Sequence, residues 1–183
     1  MVHPASVNPQ SGTVKTFGFL IMPNFTTIGL ASAVETLRMA NLAACRPVFR
    51  SVLIAAQGAP VTASNGMRVL PDCTLDDAPA LDVLLVVGPN PIERGPATGA
   101  YLRWLRERAK QRLPIGGICT GSYMLAKAGL LDGYRCTIHW EDLPTLRARF
   151  PNIICSQQLF ELDRDRYTCS GGCLLYTSPS PRD

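Results

Sequence analysis

No run in this 183-residue chain approaches the roughly 20 consecutive apolar residues that a bilayer-spanning helix requires, so no membrane span is expected. The opening segment, Met1 to Thr13, lacks the charged and apolar regions of a secretory signal. Its Pro4, Asn8, Pro9, Ser11 and Gly12 read as a flexible leader, and the chain reads as cytoplasmic. Histidine is scarce: His3 lies in the leader, which leaves His139 alone in the body of the chain. The seven cysteines, at 45, 73, 119, 136, 155, 169 and 173, form no CxxC pair and no metal-ligand spacing. They read as reduced, mostly buried small hydrophobes, and neither a metal nor a cofactor is expected. Charge is modest as well, with 17% charged residues and a net charge of +4. Arg103, Arg106, Arg108, Lys110 and Arg112 crowd one predicted helix and its exit, where a solvated helix face is a simpler account than a DNA surface.

With 46% hydrophobic residues, the chain can bury one sizeable core and is too short for two comfortable domains. Thr16 to Met22 reads as a buried first strand stopped by Pro23-Asn24. A helix follows with Leu30, Val34 and Leu37 on one face, and Glu35, Arg38 and Asn41 on others. Phe49 to Ala56 reads as a second strand, and Val61 with Arg68-Val69-Leu70 as a hairpin. Leu81 to Val87 is apolar at nearly every position, as a central strand covered on both faces must be. A stripe of Tyr101, Leu102, Leu105 and Ala109 predicts a helix. Arg135 to Ile138 predicts a short strand, Glu141 to Arg149 another helix, and Gln158 to Leu162 with Arg166 to Cys169 a final hairpin. The Asp163-Arg164-Asp165 turn and Asp132-Gly133 carry acids that turn chemistry alone explains. Alternation of strands and helices predicts an α/β fold with a largely parallel sheet and helices on both faces.

Ile115 to Leu125 is the most informative stretch. An apolar run climbs through Gly116-Gly117-Ile118 to Cys119, then Thr120-Gly121-Ser122 leads into a helix former that ends at Gly129. This is the pattern of a sharp strand-to-helix turn with Cys119 at its apex, where only small neighbours fit. The apex is expected to project from the sheet edge over the helix N-terminus, beyond the C-terminal ends of the strands, where α/β sheets place their sites.

Gly117 to Ser122, Ala126 to Gly133 and Thr137-Ile138-His139-Trp140 together resemble the PfpI superfamily, with a flavodoxin-like fold also called class I glutamine amidotransferase-like. Phe25, Ala31 to Asn41, Phe160 to Arg164 and Tyr167 to Gly172 narrow the resemblance to the sensor domain of GlxA-type regulators of the AraC family. It covers about residues 14–172. It implies a small-molecule effector pocket at the elbow, a homodimer, and DNA contact through a C-terminal pair of helix-turn-helix motifs that this chain does not contain. The resemblance is nearest to regulators of carnitine and glycine-betaine catabolism, which implies a quaternary ammonium compound or an amino acid as effector. Cys173 to Asp183 follows no such pattern. That segment resembles translated adaptor or vector sequence and is expected to be a non-native tail standing in place of the DNA-binding domain.

The ligand-binding residues implied are Cys119, Thr120, Gly121, His139, Trp140, Phe25 and Glu35, with Trp140 or Phe25 offering an aromatic face to a cation. Four of them have a plainer alternative: Cys119 as a small residue required by the turn, His139 as a structural histidine, Trp140 as core, Glu35 as a solvent-facing side chain. The competing function is a stand-alone cysteine hydrolase or hydratase with Cys119 as nucleophile and His139 as base. A third is a binding module with no regulatory output. Superfamily enzymes usually carry an acid near the end of the first strand, where this chain has Asn24-Phe25-Thr26-Thr27-Ile28. A helix terminus contributes only about 0.3–1 kcal/mol, less than one pKa unit, so the dipole alone does not make Cys119 a thiolate.

Overall fold

Val83–Val87 (β6) occupies the centre of a seven-stranded sheet in the computed structural model, which describes residues 13–92 and 99–171. Leu84 and Val86 enter one core while Leu85 and Val87 enter the other, the period of two expected of a strand covered on both faces. Around it lie Lys15–Ile21 (β1), Phe49–Ala55 (β2), Cys73–Thr74 (β5), Ile115–Ile118 (β7), Phe160–Asp163 (β10) and Arg166–Cys169 (β11). The order is β10-β11-β7-β6-β1-β2-β5. Every neighbouring pair is parallel except the β10–β11 hairpin. The expected α/β architecture is therefore what forms.

Helices cover both faces. Thr27–Ala43 (α1) sets Leu30, Ala33, Val34 and Leu37 against Phe17, Phe19 and Ile21, as its apolar spacing predicts. Gly99–Lys110 (α2), Gly121–Lys127 (α3) and Leu143–Arg149 (α4) bring Tyr101, Leu105, Met124, Leu125 and Leu146 to the opposite face. Asn41 ties the end of α1 to β2. Its amide oxygen accepts from the N–H groups of Val48 and Phe49, and its amide nitrogen donates to the Phe49 carbonyl, each at 2.8 Å.

Val61–Thr62 (β3) and Arg68–Val69 (β4) pair as the expected antiparallel hairpin. Gly129, with φ +72°, closes α3. Arg135–Cys136 (β8) is shorter than the strand expected over 135–138, and it pairs in parallel with an unanticipated Ile154–Cys155 (β9) outside the main sheet. The reason lies at Thr137, whose N–H donates to Thr168 Oγ1 at 2.9 Å and whose hydroxyl donates to the Gln158 carbonyl at 2.7 Å. Those bonds hold the backbone against the β11 side chains and end the ladder. The following helix opens as a 3-10 turn over Trp140–Asp142, and α4 begins at Leu143.

The turn after β10 does more than reverse the chain. Asp165 accepts from the Tyr134 hydroxyl at 2.9 Å and from buried Arg166 at 2.7 Å, while the Arg164 guanidinium lies 3.6 Å over the Tyr134 ring. Asp163 accepts the Arg135 N–H at 2.8 Å, so both acids anchor the start of β8. The leader to residue 12 and the tail from residue 173 lie outside the described residues.

Candidate functional site

β7 runs between β6 and β11 and delivers the chain to Cys119, which takes the left-handed conformation with φ 56°. A side chain at such a dihedral is sterically disfavoured and persists only where its surroundings fix it. Here the Cys119 N–H donates to the Cys169 carbonyl at 3.0 Å, carrying the β7–β11 ladder one residue into the turn. Thr120 returns to right-handed geometry and α3 starts at Gly121. The sharp elbow expected from the small-residue pattern is present.

Close approach explains those small residues. A Cβ on Gly121 would run into the Val86 carbonyl oxygen, and one on Gly88 would lie 2.6 Å from both the Gly121 nitrogen and the Thr120 carbonyl carbon. The role of Gly121 is thus to let α3 sit down on β6. A Cβ on Gly171 would lie 3.0 Å from the Cys119 sulfur, and Gly171 itself has φ +114°. The wall behind the thiol is therefore backbone.

Cys119 is 2% exposed and packs with Phe25, Val87 and Ile118 in one core cluster. Cys169 packs against the same cluster. Burial pushes the Cys169 thiol up, opposed by the N–H groups of Cys119 and Gly171 directed at its sulfur. Phe25 is fully buried and bridges to Pro89, so its ring belongs to the core and offers no open face.

Three buried hydroxyls accompany the elbow. Thr26, Thr120 and Ser122 have no hydrogen-bond partner for their side-chain oxygens among the described residues. Thr26 stands at the β1–α1 junction close to Ile118, since a Cβ on Gly29 would meet both its Oγ1 at 2.9 Å and Ile118 Cγ2 at 3.1 Å. Hydroxyl groups this deeply buried are ordinarily paired, so their clustering beside one turn marks the turn as more than packing. Sequence reasoning named Thr120 but missed Thr26 and Ser122, which nothing in an ordinary strand-to-helix pattern singles out.

His139 is buried, with Nδ1 3.6 Å from the Glu141 carboxylate and its ring centroid 5.8 Å from that of Trp140. Trp140 is 64% exposed and is not core. It lines a cavity of about 430 Å³ together with Thr137, Ile138, Gln158, Leu159 and Ser170. Ser170, which lines it, is followed in the chain by Gly171, the residue packed against Cys119. Glu35 stands apart. Its side chain is exposed on α1 and pairs with Arg38 at 2.6 Å; the Arg38 hydrogen bond and charge hold it below the usual carboxylate range. The basic residues of α2 are engaged locally, Arg106 donating to the Ala128 carbonyl at 3.0 Å and Arg108 lying 4.8 Å over Trp104.

The chain that carries this elbow is similar to proteins already described. The sequence profile of the DJ-1/PfpI family matches residues 15–177. The chain belongs to the DJ-1/PfpI family. The HTH-type transcriptional regulator GbdR of Pseudomonas aeruginosa is 45% identical over 170 residues, covering 93% of this chain and 46% of the regulator. An isonitrile hydratase of Pseudomonas putida is 35% identical over 137 residues, covering 72% of this chain and 56% of the hydratase. An AraC family transcriptional regulator from Pseudomonas putida has a solved structure that matches with TM-score 0.76 and 28% identity, over 86% of this chain and 84% of that one. The chain thus spans about half the length of the curated relatives it matches. Among the described residues no helix is long and apolar enough to cross a membrane, and no cluster of metal-ligating side chains occurs.

Proposed function

We propose that this DJ-1/PfpI chain is the effector-sensing part of an AraC-family transcriptional regulator, working as a homodimer in the cytoplasm and reaching DNA through a domain outside this sequence. The observation that carries the reading is the exposed Trp140 on a cavity of about 430 Å³. An open indole face attracts a quaternary ammonium group by about 0.5–2 kcal/mol. Glu141 beside it adds negative charge, and Gln157, Gln158 and Ser170 supply hydrogen-bonding groups for the polar end of a betaine or amino acid. His139 lies between the cavity residues Ile138 and Trp140 in the chain, and we assign it, with buried Cys119 and Thr120, to transmitting occupancy to the rest of the fold. Regulation requires that the effector bind one state of the dimer more tightly than the other.

The competing reading, a cysteine hydrolase or hydratase, is favoured by the likeness to the isonitrile hydratase and by the elbow itself. Against it stand the 2% exposure of Cys119 and the lack of any carboxylate in the stretch Asn24-Phe25-Thr26-Thr27-Ile28 after the first strand. One experiment separates them. Thermal stability is measured across betaines, carnitine and basic amino acids, and Cys119→Ser is tested in parallel for turnover of isonitriles and amides. The sensing reading expects a ligand-dependent rise in Tm and no turnover by either protein. Turnover by the parent chain that vanishes in Cys119→Ser establishes the enzyme instead.

A further inference from the structure

Two cysteines outside the elbow face one another. Cys136 and Cys155 are register partners in the parallel β8–β9 pair, which sets them on the same side of adjacent strands. Strands in a sheet lie about 4.7–4.9 Å apart, within the roughly 4.4–6.8 Å span of Cα atoms that a disulfide bridges. Both thiols are free. The two differ in setting: Cys136 is fully buried, whereas Cys155 is half-buried and within reach of the Arg147 guanidinium.

We infer that Cys136 and Cys155 form a thiol–disulfide exchange site for small-molecule disulfides, with Cys155 as the attacking sulfur and Cys136 as the resolving one. The Cys155 thiolate attacks one sulfur of the small disulfide, whose S–S bond breaks and whose other half leaves as a thiolate that takes a proton. Cys136 then gives up its proton and attacks the Cys155 sulfur of the mixed disulfide, expelling the second small thiol. Two protein thiols are oxidised by two electrons, and one small disulfide is reduced to two thiols.

The asymmetry of the pair fixes this order. Arg147 and the S–H of Cys136 both favour charge on Cys155, although burial still raises it overall. Burial, with the neighbouring Cys155 and Glu161 charges, pushes Cys136 up to about 12, so Cys136 retains its proton until the mixed disulfide is in place. The pair is also well placed to matter. Cys136 directly precedes Thr137, and Cys155 lies two residues before Gln157, both of which line the Trp140 cavity. A covalent β8–β9 link therefore fixes the two strands that feed that cavity. The exchange chemistry stands whether or not the cavity binds an effector.

The test uses the full chain, treated with oxidised glutathione at mildly alkaline pH, alkylated, digested with trypsin and mapped by mass spectrometry. Arg147 and Arg149 separate the Cys136 peptide from the Cys155 peptide, so a cross-link is read directly. The expected result is a loss of two free thiols as a Cys136–Cys155 linked peptide, reversed by dithiothreitol. Cys136→Ser is expected to stop at a glutathione adduct on Cys155, and Cys155→Ser to leave Cys136 unmodified. Both peptides remaining reduced while Cys45 or Cys119 is consumed overturns the assignment. Equal glutathione capture by Cys136 in the Cys155→Ser variant overturns the order of attack. The map of the unsubstituted chain stands alone if either variant fails to fold.

Discussion

Gly171 presses against Cys119 so closely that an added Cβ would lie 2.9 Å from the Cys119 Cβ and 3.0 Å from its sulfur. Gly171 also holds φ +114°, a region that side chains rarely enter. The expected consequence is that Gly171→Ala destabilises the fold by about 1–3 kcal/mol, read from urea midpoints. Gly66→Ala is the control, since Gly66 has φ +86° and nothing within 4 Å of an added Cβ. Dihedral strain alone makes the two variants equal. Contact with the elbow makes Gly171→Ala the worse, and Cys119→Ala then recovers part of the loss in the double variant. Additive effects in that cycle contradict the contact.

The unpartnered hydroxyls give a second, oppositely signed expectation. Leaving a buried hydroxyl unsatisfied costs about 1–3 kcal/mol, and removing it removes that cost. Ser122→Ala and Thr120→Val are therefore expected to leave the ligand-free chain as stable as before or more so. If these groups serve a bound effector, the same variants lower the Tm rise that the effector produces. A clear drop in ligand-free stability shows instead that both hydroxyls already have partners in solution.

Much of the elbow was legible from sequence because sterics leave few alternatives. An apolar run into Cys119 with Gly117 and Gly121 on either side describes a turn that larger residues cannot make. The central strand was legible for the same reason, since a continuous apolar run has to be covered on both faces. Two-residue strands such as β5 and β9 were not, because so few residues carry no periodicity. Gly171 could be quoted as part of a phrase but not assigned to Cys119, for that contact spans 52 positions of separation in the chain, roughly a β-hairpin and two helices away. Glu35 shows the reverse. Its place off the Leu30–Val34–Leu37 face already pointed to solvent, and the Arg38 pair confirms that phase.

Acid sensitivity follows from the turn that anchors β8. Burial raises Asp165, but the Tyr134 hydroxyl and Arg166 outweigh it and hold its carboxyl below the ordinary range. A carboxylate whose folded pKa is depressed contributes stability that is complete above its unfolded value of about 3.9 and is lost as pH falls through the folded value. Asp165→Asn is thus expected to lower the urea midpoint near neutral pH and to narrow its gap from the parent chain as pH falls below about 4. A gap that stays constant down the acid limb assigns the loss to hydrogen bonding alone and removes Asp165 from the acid response.

Trp140 offers the sharpest test of the sensing reading because its stability and ligand roles separate. At 64% exposure its ring contributes little to the core, so Trp140→Ala is expected to change the ligand-free Tm only slightly. A cation held on the indole face loses about 0.5–2 kcal/mol when the ring is removed, a roughly 2- to 30-fold weakening of affinity by calorimetry. Trp140→Phe keeps a π face with a weaker quadrupole and is expected to fall between the two. This graded order, Trp above Phe above Ala, for a trimethylammonium ligand but not for its uncharged isostere, is what a cation–π contact requires. An effector that binds all three variants equally sits elsewhere, and the cavity lined by Pro23, Ala56, Pro60 and Tyr101 at the ends of β1 and β2 is then the place to look.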